Sequence, residues 1–311
     1  MRGRFGPPPP DGGPRLQRGD RTGPRSGRPT LPGPETELVT LDPGVRRPSP
    51  RPPAPVHGSS PLRLEQLVTG LGDPVTVFAH GLAGDISGTR PLGSAVTGRR
   101  VFFHFRGHGR SDAPPGPWSF GDLAGDLRGV ADLAGATRAV GVSMGAGALC
   151  RLLAETPDRF ERIVLYLPAP LDGSRPEAAL RRLDRLLASV ESGEAAMIAD
   201  AVEAEIPAAV RNTPAGWGFL RQRVDQLQRD GLAAELSTLW SAPPLPDESL
   251  LKAFRGRALV IGCQGDEIHP VAGAERVAGL LDADLHVYDR PSILWTDRAD
   301  LRERISAFLN A

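Results

Sequence analysis

The sequence predicts an α/β protein: a mostly parallel, doubly wound sheet that carries a helical insertion. Three observations lead there. From residue 62 onward, short β-branched or apolar runs alternate with stretches whose apolar residues recur at helical spacing. The strand-like runs are nearly continuous in apolar residues, the pattern of strands covered on both faces by helices. The alternation then breaks at about residue 174, gives way to helical stripes up to about residue 252, and resumes.

Taken in order, "RLEQLV" (63–68), "PVTVFAHG" (74–81) and "RRVFFHF" (99–105) read as the first three strands. "SFGDLAGDLRGVADLAG" (119–135) is a helix, with Ser119 supplying an N-cap and Gly135 a stop. A strand "TRAVGVS" (137–143), a helix "GAGALCRLLAETPDRF" (145–160) and a strand "RIVLYLPA" (162–169) follow. In the insertion, Leu180, Leu183, Leu186, Leu187 and Val190 form one apolar stripe, and Phe219, Leu220, Val224 and Leu227 another. A helical segment leaving a strand's carboxyl end would hang over that edge as a lid. The sheet closes with "RALVIG" (257–262), a helix over 270–282, "LHVYD" (285–289) and a final helix over 298–310.

Residues 1–60 differ in kind. They hold 15 Pro, 10 Gly and 10 Arg but one aromatic residue, Phe5, too little apolar surface to offset the entropy of ordering. A disordered tail is expected there, and the folded domain is placed at 61–311. The formal net charge of zero excludes a whole-protein field that would draw the chain to nucleic acid or an anionic membrane. No apolar run reaches the ~18 residues of a membrane span, and "MRGRFGPPPP" lacks the apolar core of a signal peptide. A cytoplasmic protein with a small-molecule partner is expected, with no nucleic-acid or membrane partner. Cys150 and Cys263 lack metal-ligand spacing and read as buried free thiols; no metal or organic cofactor is implied.

Ligands of parallel sheets bind outside the carboxyl ends of the strands, so chemistry is sought just after them. "GVSMG" (141–145) is G-x-S-x-G between a strand and a helix, where a sharp turn lifts Ser143 above the sheet edge. The same turn aims the Met144 N–H at a reacting carbonyl oxygen, at the start of a helix whose dipole favours negative charge. "HGLAG" (80–84) also follows a strand, and its Leu82 N–H is the candidate second donor to that oxygen. The alternative for each motif is an ordinary glycine turn.

"FRGHGRSD" (105–112) follows the next strand. With "HGLAG", "RGHGRSD" and "GVSMGAG" in this order, each after a strand, the chain resembles the α/β-hydrolase superfamily over about residues 62–311. The resemblance implies that fold, a cap at 174–252, a structural role for the His108 turn, and an acid in "IGCQGDEIHP" (261–270) at Asp266. That acid would hold an imidazole in the right tautomer and stabilise its protonated form.

One feature departs from the pattern. The family's histidine belongs in the loop after the last strand, here "RPSILWTDR" (290–298), which contains none; Ser292 stands near its place. Of the six histidines, His57 lies in the tail, His80 is expected behind the oxyanion turn, His104 at a strand end and His286 inside a strand. His269, three residues beyond Asp266, is the best substitute, since three residues span roughly 10 Å; a His-Pro surface turn is the alternative. Two functional readings follow. One is a serine hydrolase of small esters or related acyl bonds. The other is a catalytically impaired protein of this fold that binds a small molecule, or a non-hydrolytic lyase or cyclase.

Overall fold

The computed structural model describes residues 35–41, 61–228, 238–239 and 242–311. Among these, eight strands form one sheet: β1 (Glu37–Leu41), β2 (Leu62–Thr69), β3 (Val75–Ala79), β4 (Arg99–Phe103), β5 (Arg138–Val142), β6 (Arg162–Tyr166), β7 (Arg257–Cys263) and β8 (Asp284–Tyr288). Their spatial order is β1-β2-β4-β3-β5-β6-β7-β8. β1 with β2 and β2 with β4 are antiparallel, and every later pair is parallel. The chain runs from β3 outward to β4 and then returns to the other side of β3 as β5. That reversal makes the carboxyl ends of β3 and β5 a topological switch point, the place where such sheets bind ligands.

The helices are α1 (Ile86–Thr89), α2 (Phe120–Ala134), α3 (Met144–Glu155), α4 (Glu177–Ser192), α5 (Ala195–Glu203), α6 (Ala208–Arg211), α7 (Pro214–Leu227), α8 (Val271–Leu281), α9 (Ile293–Thr296) and α10 (Arg298–Asn310). Period-2 alternation in the strands explains the layering. Val75, Val77 and Ala79 of β3 face one core with Leu123, Leu127 and Leu149 of α2 and α3 and Val277 of α8. Phe78, between them, faces the other with Phe102 and with Leu301, Ile305 and Leu309 of α10. Each such fully buried side chain contributes about 1.5–3 kcal/mol.

Local signals set most boundaries. Ser119 caps α2 in a reciprocal box with Asp122, and Gly135 closes it in the left-handed conformation. α3 ends at Glu155, five residues short of the expected 160. Pro157 disfavours helical backbone at the residue before it, and Thr156 leaves the helix at φ −143°. Among the described residues α4 to α7 lie between β6 and β7, and α4, α5 and α7 share an apolar cluster of Val190, Ile198, Val202, Val224 and Leu227. No helix among the described residues is long and apolar enough to cross a membrane. Both cysteines are free and buried.

One expectation needs correcting. Composition predicts disorder throughout residues 1–60, yet residues 37–41 form β1, paired in register with Leu62–Gln66; residues 1–34 and 42–60 lie outside the described residues. The averaged Pro and Gly content of the first sixty residues hides a short alternating run, "ELVTL". A buried carboxylate helps hold it. Glu65 accepts hydrogen bonds from Thr36 Oγ1 (2.6 Å), the Arg110 N–H (2.6 Å) and Arg110 Nε (2.9 Å), and from His104 Nδ1 (2.9 Å).

Burial alone would raise the Glu65 pKa, but these bonds outweigh it and bring it down to about 2. With a folded pKa below the unfolded one, its contribution is complete above about pH 4.5 and lost as pH falls toward 2. Glu65→Gln is expected to cost about 2 kcal/mol at neutral pH and to flatten the acid limb of stability. Urea unfolding at pH 7 and pH 3 checks this; an unchanged difference between the two pH values would refute it.

Candidate active site

The turn at residues 141–145 is built by steric necessity. Ser143 adopts φ 50°, ψ −108°, a conformation an L-residue avoids, and it starts α3 without a side-chain cap. A Cβ on Gly141 would lie 2.7 Å from the Ala146 Cα, and one on Gly145 only 2.5 Å from the Ala79 carbonyl oxygen and 2.7 Å from that of His80. Both contacts are with backbone, so neither can yield easily. Gly145→Ala is therefore expected to destabilise the fold by at least about 3 kcal/mol. Thermal unfolding with a wild-type midpoint would contradict the packing described. Of the five non-glycine residues at positive φ among the described residues, Ala83, Ser143, Leu167 and Ser292 lie in loops just past strand carboxyl ends, and such outliers concentrate where function is assembled.

The turn after β3 packs onto this elbow. A Cβ on Gly81 would meet the Ser143 Cβ at 3.4 Å, so the residue preceding Leu82 packs against the serine. His80 braces the turn from behind: it accepts the Phe105 N–H at Nε2 (3.1 Å), leaving Nδ1–H to donate to the Gly81 carbonyl (2.7 Å). Burial, then the neighbouring His108 and His104, pushes its pKa well down, so it is neutral. From above, α7 grips the turn. Arg223, paired with Glu205 at 3.3 Å, donates to the carbonyls of Ala83 and Leu82, and Gln222 and Gln226 donate to Asp85. With their carbonyls engaged by Arg223, Leu82 and Ala83 are tied to the helices between β6 and β7.

The acid turn follows β7. Asp266 Oδ1 accepts the N–H groups of Ile268 and His269, each at 2.9 Å, and this local loop swings the His269 ring back over the sheet edge. There the Ser143 hydroxyl and His269 Nε2 lie at hydrogen-bond distance, 2.7 Å apart. For the serine to donate, the imidazole proton must sit on Nδ1, which lies 3.3 Å from Asp266 Oδ1 but off the hydrogen-bond axis. An N–H there points toward the carboxylate's negative charge even without an aligned bond. Burial would raise the Asp266 pKa, but His269 and the two N–H groups hold its carboxyl below the usual carboxylate range.

The other histidines are accounted for. His104 donates to Glu65 and accepts the Ile86 N–H (3.0 Å). His108 donates to the Arg106 carbonyl (2.9 Å), in the turn where Arg106 pairs with Asp126 at 2.6 Å. His286, on edge strand β8, packs edge-on against Tyr288 at 4.5 Å, and burial lowers its pKa. His57 lies outside the described residues. The loop lacking the expected histidine serves packing instead. Pro291 sits against Gly265 in the acid turn, Ile293 is buried, and Trp295 meets Phe219 of α7 at 5.3 Å. Nothing in the sequence singles out Arg223, Trp295 or Arg175, because it does not give the direction of side chains in the insertion and the loops facing it. Among the described residues no group of three His, Cys, Asp or Glu is placed to hold a metal ion.

A strained serine at a strand-to-helix turn, an imidazole 2.7 Å from its hydroxyl and a carboxylate 3.3 Å from that imidazole stand together at one edge of a doubly wound sheet. The chain belongs to the alpha/beta hydrolase fold family, which it matches over residues 74–283. It is 36% identical over 118 residues to a Caulobacter segnis protein assigned by name as the carbamate hydrolase RutD; the matched part is 36% of this chain and 42% of that relative. Among solved structures, the enol-lactonase of Burkholderia xenovorans superposes with a TM-score of 0.67 at 25% identity, covering 80% of this chain and 97% of its own. An Exiguobacterium antarcticum esterase superposes at 0.68 with 15% identity, covering 81% and 97%, a likeness of fold alone.

Proposed function

We propose that the protein is a serine hydrolase of small esters or related acyl compounds, with its general base relocated to the acid turn. The observation that carries this reading is the 2.7 Å contact between Ser143 Oγ and His269 Nε2. Ser143 Oγ attacks the acyl carbon while its proton passes to Nε2. The carbonyl oxygen becomes an oxyanion held by the Leu82 and Met144 N–H groups, the latter at the positive end of α3. Collapse breaks the bond to the leaving group, which takes the proton from Nε2. Water then repeats the sequence on the acyl-enzyme and releases the acid and free Ser143. Asp266 remains ionised throughout, biases the Nδ1–H tautomer and stabilises the imidazolium.

The helices between β6 and β7 act as the cap, and their hold on the Leu82 turn couples their position to the oxyanion site. The names of the relatives agree with the reaction class, since ester, lactone and carbamate cleavage share attack on an acyl carbon. The test is turnover of p-nitrophenyl butyrate by the full chain, expected above the buffer rate and absent in Ser143→Ala. No turnover of this or other short activated esters would overturn the reading in favour of a non-catalytic small-molecule binder.

A further inference from the structure

Arg175 lies in the loop between β6 and α4, at the catalytic edge of the sheet. Among the described residues its one hydrogen bond runs from Nη1 to the Ile268 carbonyl (3.3 Å), and Ile268 stands between Asp266 and His269 in sequence. Its Nε is shut off from solvent without a partner, and among the described residues no carboxylate acts on its charge. Burial alone lowers its pKa, with no acid opposing that effect, yet a guanidinium stays charged in proteins. A half-buried cation without a counter-ion is costly.

Arg138 offers a contrast. It also lacks a carboxylate, but it donates to the Leu309 carbonyl at the end of α10, where the helix dipole compensates. Arg175 has no such helix end before it.

We infer that Arg175 is the counter-ion for a carboxylate on the substrate, so the preferred substrates are small acyl esters that bear a free acid group. This rests on the hydrolase reading above. A guanidinium hydrogen-bonded to the residue preceding the base would fix such a substrate beside Ser143, and its planar fork matches a carboxylate with two parallel bonds. The missing negative charge is then supplied only when substrate binds, which favours acid-bearing over neutral acyl chains.

Two esters of equal acyl length separate this role from mere support of the acid turn: p-nitrophenyl hydrogen glutarate and p-nitrophenyl valerate. Wild-type protein is expected to prefer the glutarate in kcat/KM by on the order of a hundredfold. Arg175→Met should collapse that ratio toward one, and Arg175→Lys should restore part of it. A structural role would lower both rates together and leave the ratio intact, and that result, or a wild-type ratio near one, overturns the inference. If neither ester is cleaved, the hydrolase reading fails by itself. Calorimetric titration of glutarate into Ser143→Ala protein then decides for Arg175: binding weakened about a hundredfold by adding Arg175→Met supports it, and equal or absent binding overturns it.

Discussion

Replacing His269 by Ala is expected to abolish ester turnover as completely as replacing Ser143 by Ala, a fall on the order of 10⁵–10⁶ in kcat, with the double variant no worse than either. In the proposed mechanism the two groups act as one unit: at 2.7 Å the serine becomes a nucleophile only if the imidazole takes its proton. What remains is roughly 10³–10⁴ over water, from the oxyanion site and binding. His286→Ala is the matching control, since that ring lies on edge strand β8 against Tyr288 and its loss should act on stability. Equal kcat in His269→Ala and wild type would remove the relocated base.

The second large effect is expected at Asp266, where two roles can be pulled apart. Asp266→Asn keeps an oxygen for the N–H groups of Ile268 and His269 but loses the charge behind Nδ1. Losing that charge from an aligned triad costs about 10⁴ in kcat. Here Nδ1 is 3.3 Å away and off axis, so a smaller loss of about 10²–10³ is expected. Asp266→Ala also frees the loop that carries His269, and a further loss of about tenfold or more should follow. Steady-state kcat for the pair checks this; equal losses would mean that the backbone bonds at 2.9 Å do not position the base.

Much of this arrangement is legible in the sequence because local chemistry and global fold agree. The glycines of "GVSMG" mark a turn in which any larger residue at 141 or 145 would strike backbone, and the apolar continuity of β3 to β7 marks a sheet covered on both faces. Ser143, Leu82, Met144 and Asp266 can therefore be placed on one edge from sequence alone. That His269 should turn inward is harder to read. Its direction depends on Asp266 folding the backbone of residues 268 and 269 onto its own carboxylate, and a His-Pro pair entering a helix gives no sign of that.

Features that depend on distant pairing are not legible. β1 is a five-residue strand that exists through its register with β2 and the Thr36 and Arg110 bonds to Glu65, 29 and 45 residues apart in sequence. Arg223 and Arg175 belong to segments whose helical period is visible but whose facing is set by packing. The loop after β8 illustrates the same limit: its lack of histidine is plain in the sequence, while its contact with α7 through Trp295 emerges only from the fold.

The central claim is that an imidazole from the acid turn activates Ser143, and the most direct test is the rate of covalent labelling by a fluorophosphonate, read by intact mass. Rapid addition of one label to wild-type protein is expected, with none in Ser143→Ala and labelling slowed by at least about a thousandfold in folded His269→Ala. Labelling of His269→Ala at the wild-type rate, or no labelling of folded wild-type protein, would contradict it.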